Sequence, residues 1–325
     1  MEVITIIEQI KPNIYKVEIP LPNNPLKSLN SYIIKSDDRN LIIDTGMNRP
    51  ECMEVMLASL EELDIDLYKT DLFITHMHSD HSGNISNLAK ENAKVYCHKK
   101  DAEIIGGNYA WEGLLANAIL NGFPAHEDAI GKHPGFKYRD LGWQDFTYVN
   151  DGDVITIGDY SLTCVHTPGH SEGHMCLYEK NHKILFSGDH ILYTITPNIS
   201  IWIEDYDALA DYLLNLDKVG KLDVELVLPA HRNTFTDLNG RIEELKQHHE
   251  KRLQEILDIL ATGARNTYEV AAQMKWDLKY DDFENLPTPQ KWFAMGEALA
   301  HLTYLQAKQQ IKIEQQPDKI RYSLV

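Results

Sequence analysis

Cysteine is scarce. The 325 residues hold four, Cys52, Cys97, Cys164 and Cys176, with no CxxC pair among them. That spacing excludes a disulfide-stapled scaffold and a thiolate zinc ribbon, and it reads the four as reduced core thiols. Long apolar runs are missing as well: no stretch approaches the roughly 18 residues that a membrane span requires. The opening segment, MEVITIIEQIKPNIYKVEIP, alternates apolar and charged residues where a signal peptide carries a basic stretch and then an apolar one. The expected setting is therefore cytoplasmic, without a membrane partner. Basic charge is also short, with 31 Lys and Arg against 49 Asp and Glu, a net of −18. So acidic a surface repels phosphate backbones and anionic lipid, which argues against nucleic acid as a partner. Repeats and low-complexity tracts are absent. A composition of 43% apolar and 25% charged residues removes the disordered and fibrous classes.

What is present is enough chain for about two domains. Residues 13–20 alternate, and 31–34 with 41–43 flank a turn sequence in a hairpin pattern. Met53, Met56, Leu57, Leu60 and Leu63 recur at helical spacing and predict a helix over 50–63. Strand 71–75 runs into a His-rich loop, followed by a short helix at 84–90 and a strand at 94–98. Residues 154–157, 161–166, 175–178 and 183–186 read as successive strands, then come helix 207–216 and strand 224–228. This mixture predicts an α/β (α+β) protein with helices covering sheets. The stretch 101–139, with a helix around 111–120, is insertion-like, and a connection that long is usually functional or a lid. Near Gly240 the character changes. Helices at 241–260, 267–274 and 292–309, then a hairpin of 311–314 and 320–323, predict a small C-terminal winged-helix-like domain at 241–325 after a first domain at 1–240. The first holds 19 basic against 36 acidic residues, the second 12 against 13, so the acidity belongs to the first.

The sharpest signal is Thr75-His76-Met77-His78-Ser79-Asp80-His81. In extended backbone alternate side chains share a face, so His76, His78 and Asp80 point one way while His81 re-aims as the chain turns. Several imidazoles and one carboxylate within a few ångströms suit two cations side by side better than one tetrahedral structural ion. Three later residues fit the same chemistry: His170 in Thr167-Pro168-Gly169-His170, Asp189 in Ser187-Gly188-Asp189, and His231 after Pro229-Ala230. Each follows a strand, where rigid scaffolds mount their sites.

The set THMHSDH, TPGH, SGD and PAH, preceded by Ile43-Asp44-Thr45-Gly46, resembles the metallo-β-lactamase-fold hydrolases over roughly residues 10–235. The resemblance implies an αββα sandwich with a dinuclear site at one sheet edge. It implies His76, His78 and His170 as ligands of a first metal and Asp80, His81 and His231 as ligands of a second. Asp189 would bridge both, and Asp44 would stand behind the ligands. An Asp at position 189 departs from true β-lactamases. His78 stands where flavodiiron proteins carry Glu, and the complete second ligand set argues against the mono-iron sulfur dioxygenases. Gly188-Asp189-His190, the segment 195–199 and the C-terminal domain resemble the branch related to glyoxalase II and the β-lactamase-like protein 2 group.

Two divalent ions sharing a water would generate a metal-bridging hydroxide at neutral pH, able to attack a thioester, ester or lactone. Asp80 would aim it, and Tyr193 would hydrogen-bond the developing oxyanion. Zinc is the expected ion, with iron or manganese accepted by the same donors. His166, His174 and His190 are expected to pack or to support the ligands. Trp111, Leu114, Leu115, Ile119, Phe123, Trp292, Phe293 and Met295 either line an apolar cleft or, more commonly for such residues, fill a core. The expected substrate is a small molecule, with no basic cluster calling for glutathione. The main rival is a phosphodiesterase or single-strand endoribonuclease, disfavoured because Lys99-Lys100 is the only basic pair near the motif. A DNA-binding regulator would have to read a groove with helix 292–309, whose one basic residue is Lys308. The C-terminal domain is expected to close over the site or to mediate a homodimer.

Overall fold

The computed structural model describes residues 4–108, 111–124, 128–201, 206–276, 282–316 and 319–325. Seven strands form the first sheet in sequence order: β1 (Ile7–Lys11), β2 (Ile14–Pro20), β3 (Ser28–Ile34), β4 (Asn40–Ile43), β5 (Thr70–Phe73), β6 (Val95–Cys97) and β7 (Phe146–Tyr148). The pairs from β1 to β4 are antiparallel, and those from β4 to β7 are parallel. The second sheet runs in the order β12-β11-β10-β9-β8, from β8 (Val154–Ile157), β9 (Tyr160–His166), β10 (Met175–Glu179), β11 (Ile184–Gly188) and β12 (Leu226–Pro229). Its β11/β12 pair is parallel.

Period-2 alternation sends successive side chains to opposite faces and so builds four layers. Tyr32, Ile34, Leu41 and Ile43 of the first sheet meet Leu162, Cys164, Leu177 and Phe186 of the second in a dry core between the sheets. Ile33 and Ile42, one residue out of phase, face outward against Cys52, Met56 and Leu60 of helix α1 (Pro50–Glu62). Behind the second sheet, Cys176, Leu185 and Val227 pack on Leu209, Tyr212 and Leu216, and on Ile242 and Leu245. All four cysteines are buried and unpaired. Phe186 is fully buried, edge-on to Tyr32 with ring centroids 5.3 Å apart. Phe186→Ala is expected to cost about 3–5 kcal/mol, read as a lower urea midpoint at unchanged slope.

The strand expectations fall within a few residues of the observed elements, with two exceptions that the sequence does not announce. β1 is an exposed edge strand, and β7 has three residues, too few to show alternation. Among its described residues the segment 101–139 holds helix α2 (Trp111–Leu120), with short helical turns around it at Lys99–Glu103, Ile104–Asn108, Ala129–Lys132 and Pro134–Lys137. Helix α3 (Ala208–Val219) and helix α4 (Leu238–Leu260) follow, then α5 (Thr267–Gln273), α6 (Thr288–Ala307), and the hairpin β13 (Ile311–Gln316) with β14 (Lys319–Leu324). The boundary expected at 240 falls inside α4. The first half of that helix packs on the second sheet, and its second half (Ile256, Ile259, Leu260) joins the C-terminal core. Ala118 and Phe123 of the insertion enter that same core, and Thr267 donates to Asn121 at 2.7 Å. Insertion and C-terminal segment therefore share one hydrophobic cluster. No helix among the described residues is long and apolar enough to cross a membrane.

Candidate metal centre

The ends of the core strands gather at one edge of the sandwich. Asp44 follows β4, His76 to His81 follow β5, His170 follows β9, Asp189 follows β11 and His231 follows β12. Loops leaving the carboxyl ends of strands converge this way because the sheets hold their starting points rigid. Two glycines make the turns possible. Gly188 has φ +51°, and a Cβ there would lie 2.6 Å from His174 Nε2; Gly169 has φ +139°, and a Cβ there would lie 2.6 Å from the Tyr212 Cα. Gly169→Ala therefore combines backbone strain with a clash against fixed backbone. It is expected to cost at least about 2 kcal/mol and to displace His170, measurable together by urea unfolding and metal affinity.

His76 Nε2, His78 Nδ1 and His170 Nε2 converge at mutual separations of 2.9, 3.0 and 3.2 Å. Ligand atoms about 2.0–2.1 Å from one tetrahedral ion would stand about 3.3 Å apart, so the triangle fits an ion of that size. The proton positions agree. The backbone carbonyl of Asn198 can only accept, so His170 Nδ1 donates to it at 2.7 Å. Thr75 Oγ1 gives its one proton to Asp44 at 2.8 Å, so it accepts from His76 Nδ1 at 3.0 Å. The inward nitrogens of neutral His76 and His170 therefore carry lone pairs. Burial, reinforced by the neighbouring imidazoles, pushes His76 and His78 well below the usual histidine range and keeps them neutral.

The second group is Asp80, His81 and His231, close enough to hold one ion. His81 and His231 are fully buried. His231 Nδ1 donates to the Ser28 carbonyl at 2.7 Å, and His81 Nδ1 donates to Asp44 Oδ2 at 2.7 Å. Their Nε2 atoms, like Asp189 Oδ1, are buried with no hydrogen-bond partner among the described residues. Three buried polar atoms turned toward one point, each unsatisfied, are costly unless something binds them. Burial opposes charge on His81, yet Asp44, Asp80 and Asp189 outweigh it and hold the imidazolium up to about 10. Burial would likewise raise Asp80, but His81 and His231 hold it well below the usual carboxylate range. With Asp44 and Asp189 beside Asp80, three carboxylates surround His81, and a cation bound there would offset their charge in place of the ring proton.

Asp189 spans both groups. Its Oδ2 lies 3.6 Å from His170 Nε2, and its Oδ1 lies 3.5 Å from His231 Nε2 and 3.7 Å from His81 Nε2. The structure thus brings together all seven residues of the expected ligand set, with Asp44 behind them. Asp44 has the rare φ of +63° for a non-glycine residue and accepts from the Thr75 backbone at 2.8 Å as well as from His81. Tyr193 is not drawn in: it is 45% exposed, with its ring stacked on Phe235 at 5.1 Å. Among the described residues no hydrogen bond links it to the cluster.

Several supporting groups escape sequence reasoning. Asp101 is buried and receives the Met77 N–H, the Ser171 hydroxyl and the Gly173 N–H, so one carboxylate ties the 76–81 loop to the 170–174 loop. Burial pushes its carboxyl up to about 6, against the pull of those three donors. Thr75 links Asp44 to His76. His174, expected as support, accepts from the Asp189 N–H at 3.1 Å, whereas His166 stacks on His98 and His190 packs on Tyr212. Of these, Thr75 and His174 stand beside the motifs in a way that spacing could suggest.

His78 and Met77 line a cleft of about 580 Å³ together with Trp111, Phe136, Lys137 and Arg139 of the insertion. Of the apolar residues in question, Trp111 lines this cleft; Phe123, Trp292 and Met295 are core, and Ile119 is exposed. Lys137 and Arg139 are exposed, and no carboxylate among the described residues lies within ion-pair distance of either. By contrast, Lys99 and Lys100 are engaged with Glu103 and Glu172.

Comparison with known proteins accounts for this architecture. Residues 25–231 match the metallo-beta-lactamase superfamily, and residues 253–325 match the metallo-beta-lactamase-like C-terminal domain. The chain is 31% identical to the acyl-coenzyme A thioesterase MBLAC2 of Homo sapiens over 221 residues, 63% of this chain and 74% of that one. It is 28% identical to the atrochrysone carboxyl ACP thioesterase of Emericella nidulans over 267 residues, 81% of this chain and 71% of that one. A metallo-beta-lactamase family protein of Thermus thermophilus superposes with a TM-score of 0.83 at 25% identity, covering 98% of this chain and 100% of the other. A beta-lactamase domain protein of Burkholderia ambifaria shares the fold, with a TM-score of 0.84 at 23% identity over 98% and 94% of the two chains. The matched family and the site geometry lead to one assignment: the chain belongs to the metallo-beta-lactamase superfamily, as a hydrolase with a C-terminal domain.

Proposed function

We propose that the protein hydrolyses acyl thioesters and holds two divalent ions, one at His76, His78 and His170 and one at Asp80, His81 and His231, with Asp189 shared. The observation that carries this reading is the reach of Asp189, one oxygen toward each group. Zinc suits these imidazole and carboxylate donors, and iron or manganese would accept them too. Ions bound there supply a water acidic enough to attack at neutral pH and a positive charge to polarise the carbonyl. The chain contributes the rest. The buried imidazoles present lone pairs fixed by their outer partners, so little reorganisation is needed when a ligand binds. Asp80, held anionic, would accept a hydrogen bond from such a water and so orient it for attack. Tyr193 is left out of the mechanism because its ring is fixed on Phe235.

A thioester fits better than either rival, the phosphodiesterase or the DNA-binding regulator. Relatives named as thioesterases span most of the fold. Helix α6, which a DNA reader would have to expose, buries Trp292, Met295, Ala298, Leu302 and Leu305. The test is a substrate panel: thiol release from acyl-coenzyme A thioesters, with bis(p-nitrophenyl) phosphate alongside. Preferential cleavage of the phosphodiester would overturn the assignment.

Lys137 and Arg139 at the cleft rim favour a thioester whose carrier is anionic, a feature that composition alone conceals because the chain as a whole is strongly negative. Replacing both with Ala is expected to raise KM for an acyl-coenzyme A roughly 5- to 20-fold with kcat little changed. An uncharged N-acetylcysteamine thioester should be unaffected. The wild-type preference for the charged substrate should shrink as salt rises.

A further inference from the structure

The Asn198 carbonyl that fixes His170 is itself held from behind by the C-terminal helix. Asn198 Nδ2 donates to Glu297 Oε2 at 3.1 Å and to the Phe293 carbonyl at 3.4 Å, both on α6. Its other amide atom, Oδ1, accepts from the Ser200 hydroxyl. Glu297 is buried, and its second oxygen lies 3.5 Å from Arg252 Nε on α4. Arg252 is in turn anchored by Glu255 at 3.1 Å and lies 4.2 Å over the Trp276 ring. One turn further along α6, His301 Nδ1 donates to the Glu297 carbonyl at 2.7 Å and its Nε2 faces His249 at 3.0 Å. The fit is close: a Cβ on Gly296 would lie 2.9 Å from Ser200 Oγ and 3.1 Å from its Cβ, so α6 sits against residues 198–200 with no room for a larger side chain. A chain of contacts therefore runs from α4 through Arg252, Glu297 and Asn198 to His170.

We propose that Glu297 is a positioning residue for the metal centre: through Asn198 it holds the carbonyl that orients His170, and this gives the C-terminal segment an indirect part in metal binding. The proposal rests on the reading of His170 as a ligand. Glu297 touches neither the candidate metal groups nor the cleft, so it acts only through Asn198. Partners bonded directly to a ligating imidazole typically change metal affinity by about 10- to 100-fold when lost, and Glu297 stands behind such a partner, so the low end of that range is expected.

The experiment measures zinc affinity by competition with a chromophoric chelator, using the full-length protein stripped of metal, for wild type, Glu297→Ala, Glu297→Gln, Asn198→Ala and His170→Ala. Near-UV circular dichroism and the Tm of each metal-free protein report on folding. The expected result is an affinity loss of about 10-fold or more in Glu297→Ala and in Asn198→Ala. The double variant should be no worse than either single one, and Glu297→Gln, which keeps an acceptor for Asn198, should be restored to within a few-fold of wild type. Should Glu297→Ala fail to fold, Asn198→Ala carries the same prediction without disturbing the α4–α6 ion pair. Unchanged affinity in a folded Asn198→Ala or Glu297→Ala protein would overturn the proposal, as would a lower Tm with an unmoved competition curve. If His170→Ala itself left zinc affinity intact, the reading of the metal centre would be the part that failed.

Discussion

Asp189→Asn is expected to lower kcat/KM for thioester hydrolysis by about 10³-fold, equivalent to about 4 kcal/mol of transition-state stabilisation, while leaving the protein folded. No other carboxylate has oxygens within 4 Å of ring nitrogens in both groups among the described residues. An amide keeps one oxygen acceptor and nearly the same volume, so the loss reports charge and bidentate reach and not packing. The variant should also bind fewer ions per chain. Asp80→Asn offers the contrast: its oxygen lies near His81 and His231 only, at 3.8 and 3.5 Å. It should therefore weaken the second group and spare the first. Steady-state kinetics with metal content measured on the same samples checks both, and equal metal loss at both groups in Asp80→Asn would contradict the division.

Asp44→Asn carries the second large effect. Asp44 touches no inward-facing ring nitrogen, yet it receives the proton of His81 Nδ1, so that when a cation displaces the other ring proton the lone pair is on Nε2. Asn tolerates the positive φ of this position better than most residues, so the backbone should persist. Its amide can donate to Nδ1, however, which moves the ring proton to Nε2 and removes the lone pair from the second group. The expected outcome is a fall in metal affinity of about 10- to 100-fold, with activity largely recovered at saturating metal. Isothermal titration of stripped protein measures the first, and activity against free metal concentration the second. Activity lost irrecoverably at every metal concentration would point instead to a collapse of the loop.

What the sequence disclosed and what it concealed follow one physical division. His76, His78, Asp80 and His81 were legible because they sit within six residues, but the expected shared face of His76, His78 and Asp80 was not: Ser79–Ser82 form a helical turn, which sends Asp80 to the group of His81. His170, Asp189 and His231 were legible because each follows a strand whose pattern was clear. The groups that fix these side chains were not: the Ser28 and Asn198 carbonyls are backbone atoms that every sequence possesses, and Asp101 acquires its place only when two loops close on it. Lys137 and Arg139 are ordinary surface residues until the insertion folds over the cleft. Tyr193 shows the converse, since nearness in sequence to Asp189 did not announce that its ring stacks on Phe235. The same limit applies to α4. Its continuous amphipathic stripe gave no hint that one helix serves two cores.

The most direct test of a two-ion thioesterase is thiol release from acyl-coenzyme A, followed as stripped protein is reloaded with measured amounts of zinc. Turnover should rise with bound metal and level off at about two ions per chain, with a Tm that climbs in step because ligands bind only the folded state. Full thioesterase activity in protein holding no metal, or none in protein holding two ions per chain, would contradict it.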